Sequence, residues 1–329
     1  MLFFSITANC ILITYYNFLL LALAFCNYTK LQTKRRRLLK KFTFPHAQSA
    51  NWDRLDRICQ QETQQLVQRL NTQINDSSSV GSGIVDMKGL IMKACGNIFN
   101  EYFCSLPRSD YNDKTFSDYV HNFDEIFWEV NNGRACDFLP WLMPFMMGPL
   151  KKMDKYTSHV RNFVEEEVIE PKRQHRVERR SSIDGTKNNG DFLDSLMSYI
   201  DEDVVDEEET YEEEYKRSER RGSDVKIDRQ TALFALEDIL GGHCAVGNIT
   251  LRIINDLAEN NNTIEENNYT AQERIQHELD VNIGAGKTVS LDNKKDLHWM
   301  TAAMHETIRL TCSPIVPHQA SKDSTINGK

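Results

Sequence analysis

Apolar residues recur at three- and four-residue spacing along most of this chain, the period of a helix with one buried face. From Asn51 to Asn75 the recurring set is Trp52, Leu55, Ile58, Cys59, Leu66 and Leu70. From Asp86 to Phe103 it is Leu90, Ile91, Ala94, Ile98 and Phe99. From Phe116 to Val130 it is Tyr119, Phe123, Ile126, Phe127 and Val130. Met153 to Val168 is a long amphipathic stretch. Gln230 to Leu257, Thr270 to Asn282 and Leu297 to Leu310 complete the predicted helices, with Asp228 placed to cap the first of these three. No segment alternates with the period of two that a half-buried strand requires, so the expected fold is mainly α.

The breaks between helices are chemically distinct. Ser77 to Gly83 is a Ser/Gly break, and Pro140 and Pro144 interrupt the chain after Phe138 because proline removes a helix donor. Residues 181–226 form a predicted charged surface loop. Its acidic block, Asp201 to Glu214, is answered by the basic Lys216 to Arg221, and blocks of like charge stay solvated. A short helix, Asp191 to Ile200, is embedded in that loop.

Composition narrows the classes. The chain has 329 residues, and 40% hydrophobic content supports a sizeable core. A net charge of -9 argues against a nucleic-acid partner. Eight cysteines are scattered with no C-x-x-C pair, which fits reduced thiols better than a disulfide framework or a zinc site. Residues 1–27 carry no charge and include an apolar run, Ile11 to Phe25, followed by Lys30, Lys34, Arg35, Arg36 and Arg37. That pattern is membrane-anchor-like with the rest of the chain on the cytosolic side. A cleaved signal peptide and a mispredicted start are the alternatives for this segment.

Two other patterns carry little. Gly284-Ala285-Gly286-Lys287-Thr288 is not a phosphate loop, because that motif needs glycine where Val281 stands. His298 and His305 share a helical face without a third ligand nearby, so a core or surface role is expected for them and no metal site is assigned.

Three stretches carry chemistry. Gly241 and Gly242 sit in mid-helix, where each costs roughly 1 kcal/mol relative to alanine. That cost predicts either a cavity beside the pair or a close helix-packing contact. Glu306 and Arg309 are three apart on one helical face, flanked by Trp299, Met300, Ala302, Ala303, Ile308 and Leu310, so the pair is expected to be buried. The same E-x-x-R spacing occurs at Glu170/Arg173 and Glu214/Arg217 in charged, surface-like sequence. Ser313 to Gly328 is Pro-containing, with extended character around Pro314 to Pro317.

In this order, Thr231 to Asn248, His305 to Leu310 and Ser313 to Gly328 resemble the cytochrome P-450 family of haem-thiolate monooxygenases. Upstream, Tyr28 to Pro45 resembles that family's basic helix near the haem propionates. The resemblance implies a partial cytochrome P-450 fold over residues 28–329, from the basic haem-side helix to the E-x-x-R helix. It implies that the N-terminal strands and the C-terminal haem-cysteine loop are lacking, since none of the eight cysteines lies in such a loop.

The resemblance also assigns residues. Gln32, Arg36, Gly241, Gly242 and His318 belong to the haem environment, and His243, Cys244, Ala245 and Asn248 to the oxygen and substrate face of the central helix. Where the family commonly has an acid followed by a threonine to relay protons, this chain has Cys244 and Ala245. A thiol donates weakly and alanine not at all, which leaves His243 and Asn248 as the polar candidates. The wording of this helix is similar to the Spook-type enzymes of insect ecdysteroid synthesis, which points to a sterol. A complete relative is expected to bind haem b, to take electrons from NADPH through a cytochrome reductase, and to sit on the endoplasmic reticulum membrane facing the cytosol. The reading from a different class is a membrane-anchored helical protein without catalysis, or a degenerate fragment acting only in binding.

Overall fold

The computed structural model describes residues 30–80, 85–132, 139–174, 190–201, 227–259, 269–284, 286–311 and 325. Every regular element among the described residues is helical. Among the described residues nine α-helices follow one another: α1 Lys30–Thr43, α2 Ala50–Val80, α3 Met87–Cys104, α4 Lys114–Asn132, α5 Met147–Phe163, α6 Phe192–Asp201, α7 Arg229–Glu259, α8 Ala271–Asn282 and α9 His298–Thr311. Tight 3-10 turns at Pro140–Phe145 and Leu291–Asp296 lie between them, and α5 runs on through a widened π turn at Val164–Ile169.

Capping side chains set many of the starts. Asp86 accepts from the Gly89 N–H at 3.3 Å, Asp113 from Phe116 at 3.1 Å, Asp191 from Asp194 at 2.8 Å and Asp228 from Thr231 at 2.7 Å. Each satisfies a donor that the first turn of a helix leaves orphaned. At α8, Thr270 and Glu273 form a reciprocal capping box. The N–H groups of Trp299 and Met300 at the start of α9 donate to the Glu278 carboxylate of α8, at 2.8 and 3.1 Å. One side chain thus joins two helices by serving the second one's cap.

The core lies where α3, α4, α6 and α7 meet, with α1 and α5 closing its sides. α7 packs most extensively on α3. Two expectations change here. α2 continues through Ser77, Ser78 and Ser79 to Val80, because serine weakens a helix without obliging it to stop. The second change concerns the charged loop of 181–226, which contains a core element rather than a solvated one. Phe192, Leu193, Leu196, Met197 and Ile200 of α6 are all buried, and Phe192 meets Phe42 of α1 edge-on at 5.6 Å. Hydrophobic spacing inside the short helix prevails over the charge of its flanks. The acidic block beyond 201, its Glu214/Arg217 spacing and residues 1–27 lie outside the described residues. No described helix is long and apolar enough to cross a membrane.

Candidate functional site

The glycines of α7 are contact points for side chains on its neighbours. A Cβ on Gly241 would stand 2.8 Å from the Phe123 ring of α4. One on Gly242 would stand 2.9 Å from the Phe99 ring of α3, and one on Gly247 would stand 2.5 Å from the Met92 sulfur. Distances this short leave no room for even a methyl group unless the neighbour moves. The expected cavity beside Gly241 and Gly242 is therefore taken up by aromatic rings, and the close packing contact is what the helix cost secures.

His243 and Cys244 point into the same core. His243 is fully buried, stacked on Tyr119 with ring centres 5.8 Å apart and met edge-on by Phe123 at 5.4 Å and Phe99 at 6.3 Å. Its Nδ1 lies 2.6 Å from the Leu240 carbonyl oxygen, and its Nε2 lies 3.4 Å from the Cys244 sulfur. Burial holds the imidazole down to about 4, so the neutral ring is the resident form near pH 7. A Nδ1–H donating to Leu240 is the tautomer that this carbonyl requires. Burial likewise pushes the Cys244 thiol far above its ordinary range.

The four residues expected on one oxygen and substrate face are thus divided. Successive helical residues turn by about 100°, so positions 243, 244, 245 and 248 cannot share a face. His243 and Cys244 belong to the core, whereas Ala245 is half-exposed beside Val246, which is 46% exposed. Asn248 is half-buried at the edge of that open strip. Its Nδ2 donates to Asp124 at 3.1 Å and to the Cys244 carbonyl at 2.9 Å. Asp124 is itself buried and pairs with Lys88 at 2.6 Å.

Asp124 and Lys88 were not singled out from sequence, although a signal exists. Asp124 is an acid inside the run Phe123 to Phe127, on a helix whose other residues there are mostly apolar. A second such pair is Arg161 with Glu237, which ties α5 to α7 through two hydrogen bonds.

The E-x-x-R motif is formed but not buried. Arg309 donates to Glu306 twice, at 2.7 and 2.6 Å, and the two side chains are 67% and 55% exposed. This corrects the expectation of a buried pair. Three of the apolar neighbours that suggested burial are open themselves: Trp299, Ile308 and Leu310 are each more than two-fifths exposed. The second copy, Glu170 with Arg173, also pairs at 2.9 Å and is somewhat less exposed. Of the residues assigned to the haem environment, Gln32 is buried in α1, Arg36 is exposed on the same helix, and His318 lies outside the described residues.

The cysteines among the described residues are Cys59, Cys95, Cys104 and Cys244. A thiolate ligand must be deprotonated and reachable. Cys95, Cys104 and Cys244 are buried thiols whose pKa is raised by desolvation, Cys95 to about 12. Cys59 is half-buried, and desolvation with the Asp56 charge raises it to about 11. No group of three or more metal-ligating side chains converges among the described residues. Cys10, Cys26, Cys136 and Cys312 lie outside them.

Comparison with known proteins gives a consistent answer. The profile of the family described as Cytochrome P450 matches residues 12–218 and 267–329. The gap between these spans takes in α7 and its glycines, where the chain departs from the acid-threonine pattern. Cytochrome P450 307a1 of Drosophila melanogaster is 33% identical over 93% of this chain, which covers 49% of that protein. Steroid 17-alpha-hydroxylase/17,20 lyase of Mesocricetus auratus is 26% identical over 63% of this chain and 36% of its own length. A zebra fish cytochrome P450 solved with progesterone superposes with a TM-score of 0.64 and 21% identity, covering 95% of this chain and 63% of that one. The chain spans about half the length of Cytochrome P450 307a1 and less of the hydroxylase. With the family profile matched over most of its residues and its helices in the same arrangement as a solved member, this chain belongs to the cytochrome P450 family.

Proposed function

We propose that this chain contributes the oxygen and substrate side of a haem-dependent monooxygenase that oxidises a sterol in ecdysteroid hormone synthesis. The observation that carries the reading is the identity of 33% to an insect member of the family, extending over 93% of the chain. Two further facts support the steroid class. One relative is a steroid hydroxylase, and one solved neighbour holds progesterone. In this reading haem b is held by a thiolate that none of the eight cysteines of this chain supplies, and electrons come from NADPH through a cytochrome reductase. One oxygen atom enters the sterol at the endoplasmic reticulum membrane, with the bulk of the chain facing the cytosol. This chain's own part is to orient the substrate against α7 and to exclude competing chemistry.

The test is to express the protein encoded by the complete transcript in microsomes with its reductase, then supply NADPH and a hydroxysterol. A product heavier by one oxygen atom, formed only with NADPH, is expected. Absence of any NADPH-dependent product would contradict the reading. It would favour a non-catalytic binding protein.

A further inference from the structure

We infer that Asn248 is a hydroxyl-recognising residue, held in an acceptor-only orientation by Asp124. The inference rests on the sterol reading above and deepens it. Both groups facing the Asn248 side chain, the Asp124 carboxylate at 3.1 Å and the Cys244 carbonyl at 2.9 Å, are pure acceptors. Only the NH2 end of the amide can face them, so chemistry rather than convention fixes which way the amide points. Both amide hydrogens are spent on those two partners. The remaining capacity of the side chain is Oδ1, which accepts and cannot donate.

Three features make this a recognition group rather than a tie alone. Asn248 is half-buried, whereas Asp124 behind it is buried, so the amide stands between the core and the open strip of α7. Ala245 lies about one turn earlier on the same side of α7, is half-exposed and carries only a methyl group. Lys88 pairs with Asp124 at 2.6 Å and is 47% exposed, which anchors the carboxylate from the solvent side. A ligand group meeting Asn248 must bring a hydrogen. A sterol hydroxyl qualifies, and a ketone at the same carbon does not. Asn248 touches the substrate in this account, and Asp124 is a positioning residue that acts through it.

The experiment compares two steroids that differ in this one respect. Binding of cholesterol and of cholest-4-en-3-one to the purified chain is measured by equilibrium dialysis for the wild type, Asn248→Ala and Asp124→Asn. One neutral hydrogen bond predicts a preference of about 5-fold for cholesterol in the wild type. Asn248→Ala should bring the ratio near one. Asp124→Asn should do the same, because an amide at 124 can donate to Oδ1 and release the fixed orientation. The ratio is taken within each protein, so a uniform loss of folded material does not move it. A wild-type ratio near one overturns the inference while leaving the sterol reading intact. A preference that survives Asp124→Asn also overturns it. Failure of both steroids to bind the wild type removes the sterol reading, and this inference with it.

Discussion

Arg161 of α5 grips the Glu237 carboxylate of α7 with both Nε and Nη2, and the two side chains are only 22% and 12% exposed. Desolvation pushes the Glu237 carboxyl up, and the guanidinium opposes that push. Removing one partner of such a pair leaves a buried charge without its counterpart. Arg161→Ala is therefore expected to cost about 3–5 kcal/mol. Arg309→Ala breaks a pair that is more than half exposed, and should cost less than about 1 kcal/mol in this chain. Urea unfolding of the two variants checks the ranking, and equal losses would contradict the exposure of Glu306 and Arg309.

The exposure of Glu306 and Arg309 runs against what the sequence suggests. Trp299, Ile308 and Leu310 read as a buried stripe around the motif, yet no described element covers that stripe. Periodicity shows which face of a helix is apolar, not whether a neighbour lies against it. The helices themselves were far more legible. Asp228 caps α7 and Thr270 opens α8 where the pattern placed those boundaries, because capping chemistry is local. Burial of α6 was hidden by the charges that flank it. The Asp124–Asn248 hydrogen bond joins residues far apart in sequence, so no local pattern could announce it.

His243 gives the chain a pH dependence of known sign. The folded imidazole titrates near 4 and the ordinary one near 6.5. Between these values the unfolded chain binds a proton that the folded chain refuses. Stability from this group is complete above pH 6.5 and falls as the pH drops toward 4, by on the order of 3 kcal/mol in all. His243→Phe keeps an aromatic ring among Phe99, Tyr119 and Phe123 and removes the titration. Between pH 7 and pH 5 the wild type should lose roughly 2 kcal/mol more than the variant. Other groups, Glu237 among them, titrate in both proteins, so parallel pH profiles would show that His243 accepts a proton in the fold.

The glycine contacts can be read in a double-mutant cycle. Gly242→Ala gains about 1 kcal/mol of helix propensity but forces a methyl against the Phe99 ring. Overpacking of this kind typically costs about 1–3 kcal/mol, so net destabilisation is expected. Phe99→Leu should relieve part of it, making the pair of changes less costly than their sum. Strict additivity in thermal unfolding would mean that Gly242 and Phe99 do not meet.

The most direct test of the division of labour claimed here is the carbon monoxide spectrum of the reduced, haem-supplemented 329-residue chain. Burial raises the pKa of the four described cysteines, and none of the eight stands in the C-terminal, phenylalanine- and glycine-containing stretch that the family's haem cysteine occupies. The account predicts no thiolate-type haem band from this chain. A thiolate-type band from the purified chain would show that one of these cysteines serves as the axial ligand, and would contradict the assignment of this chain to the substrate side alone.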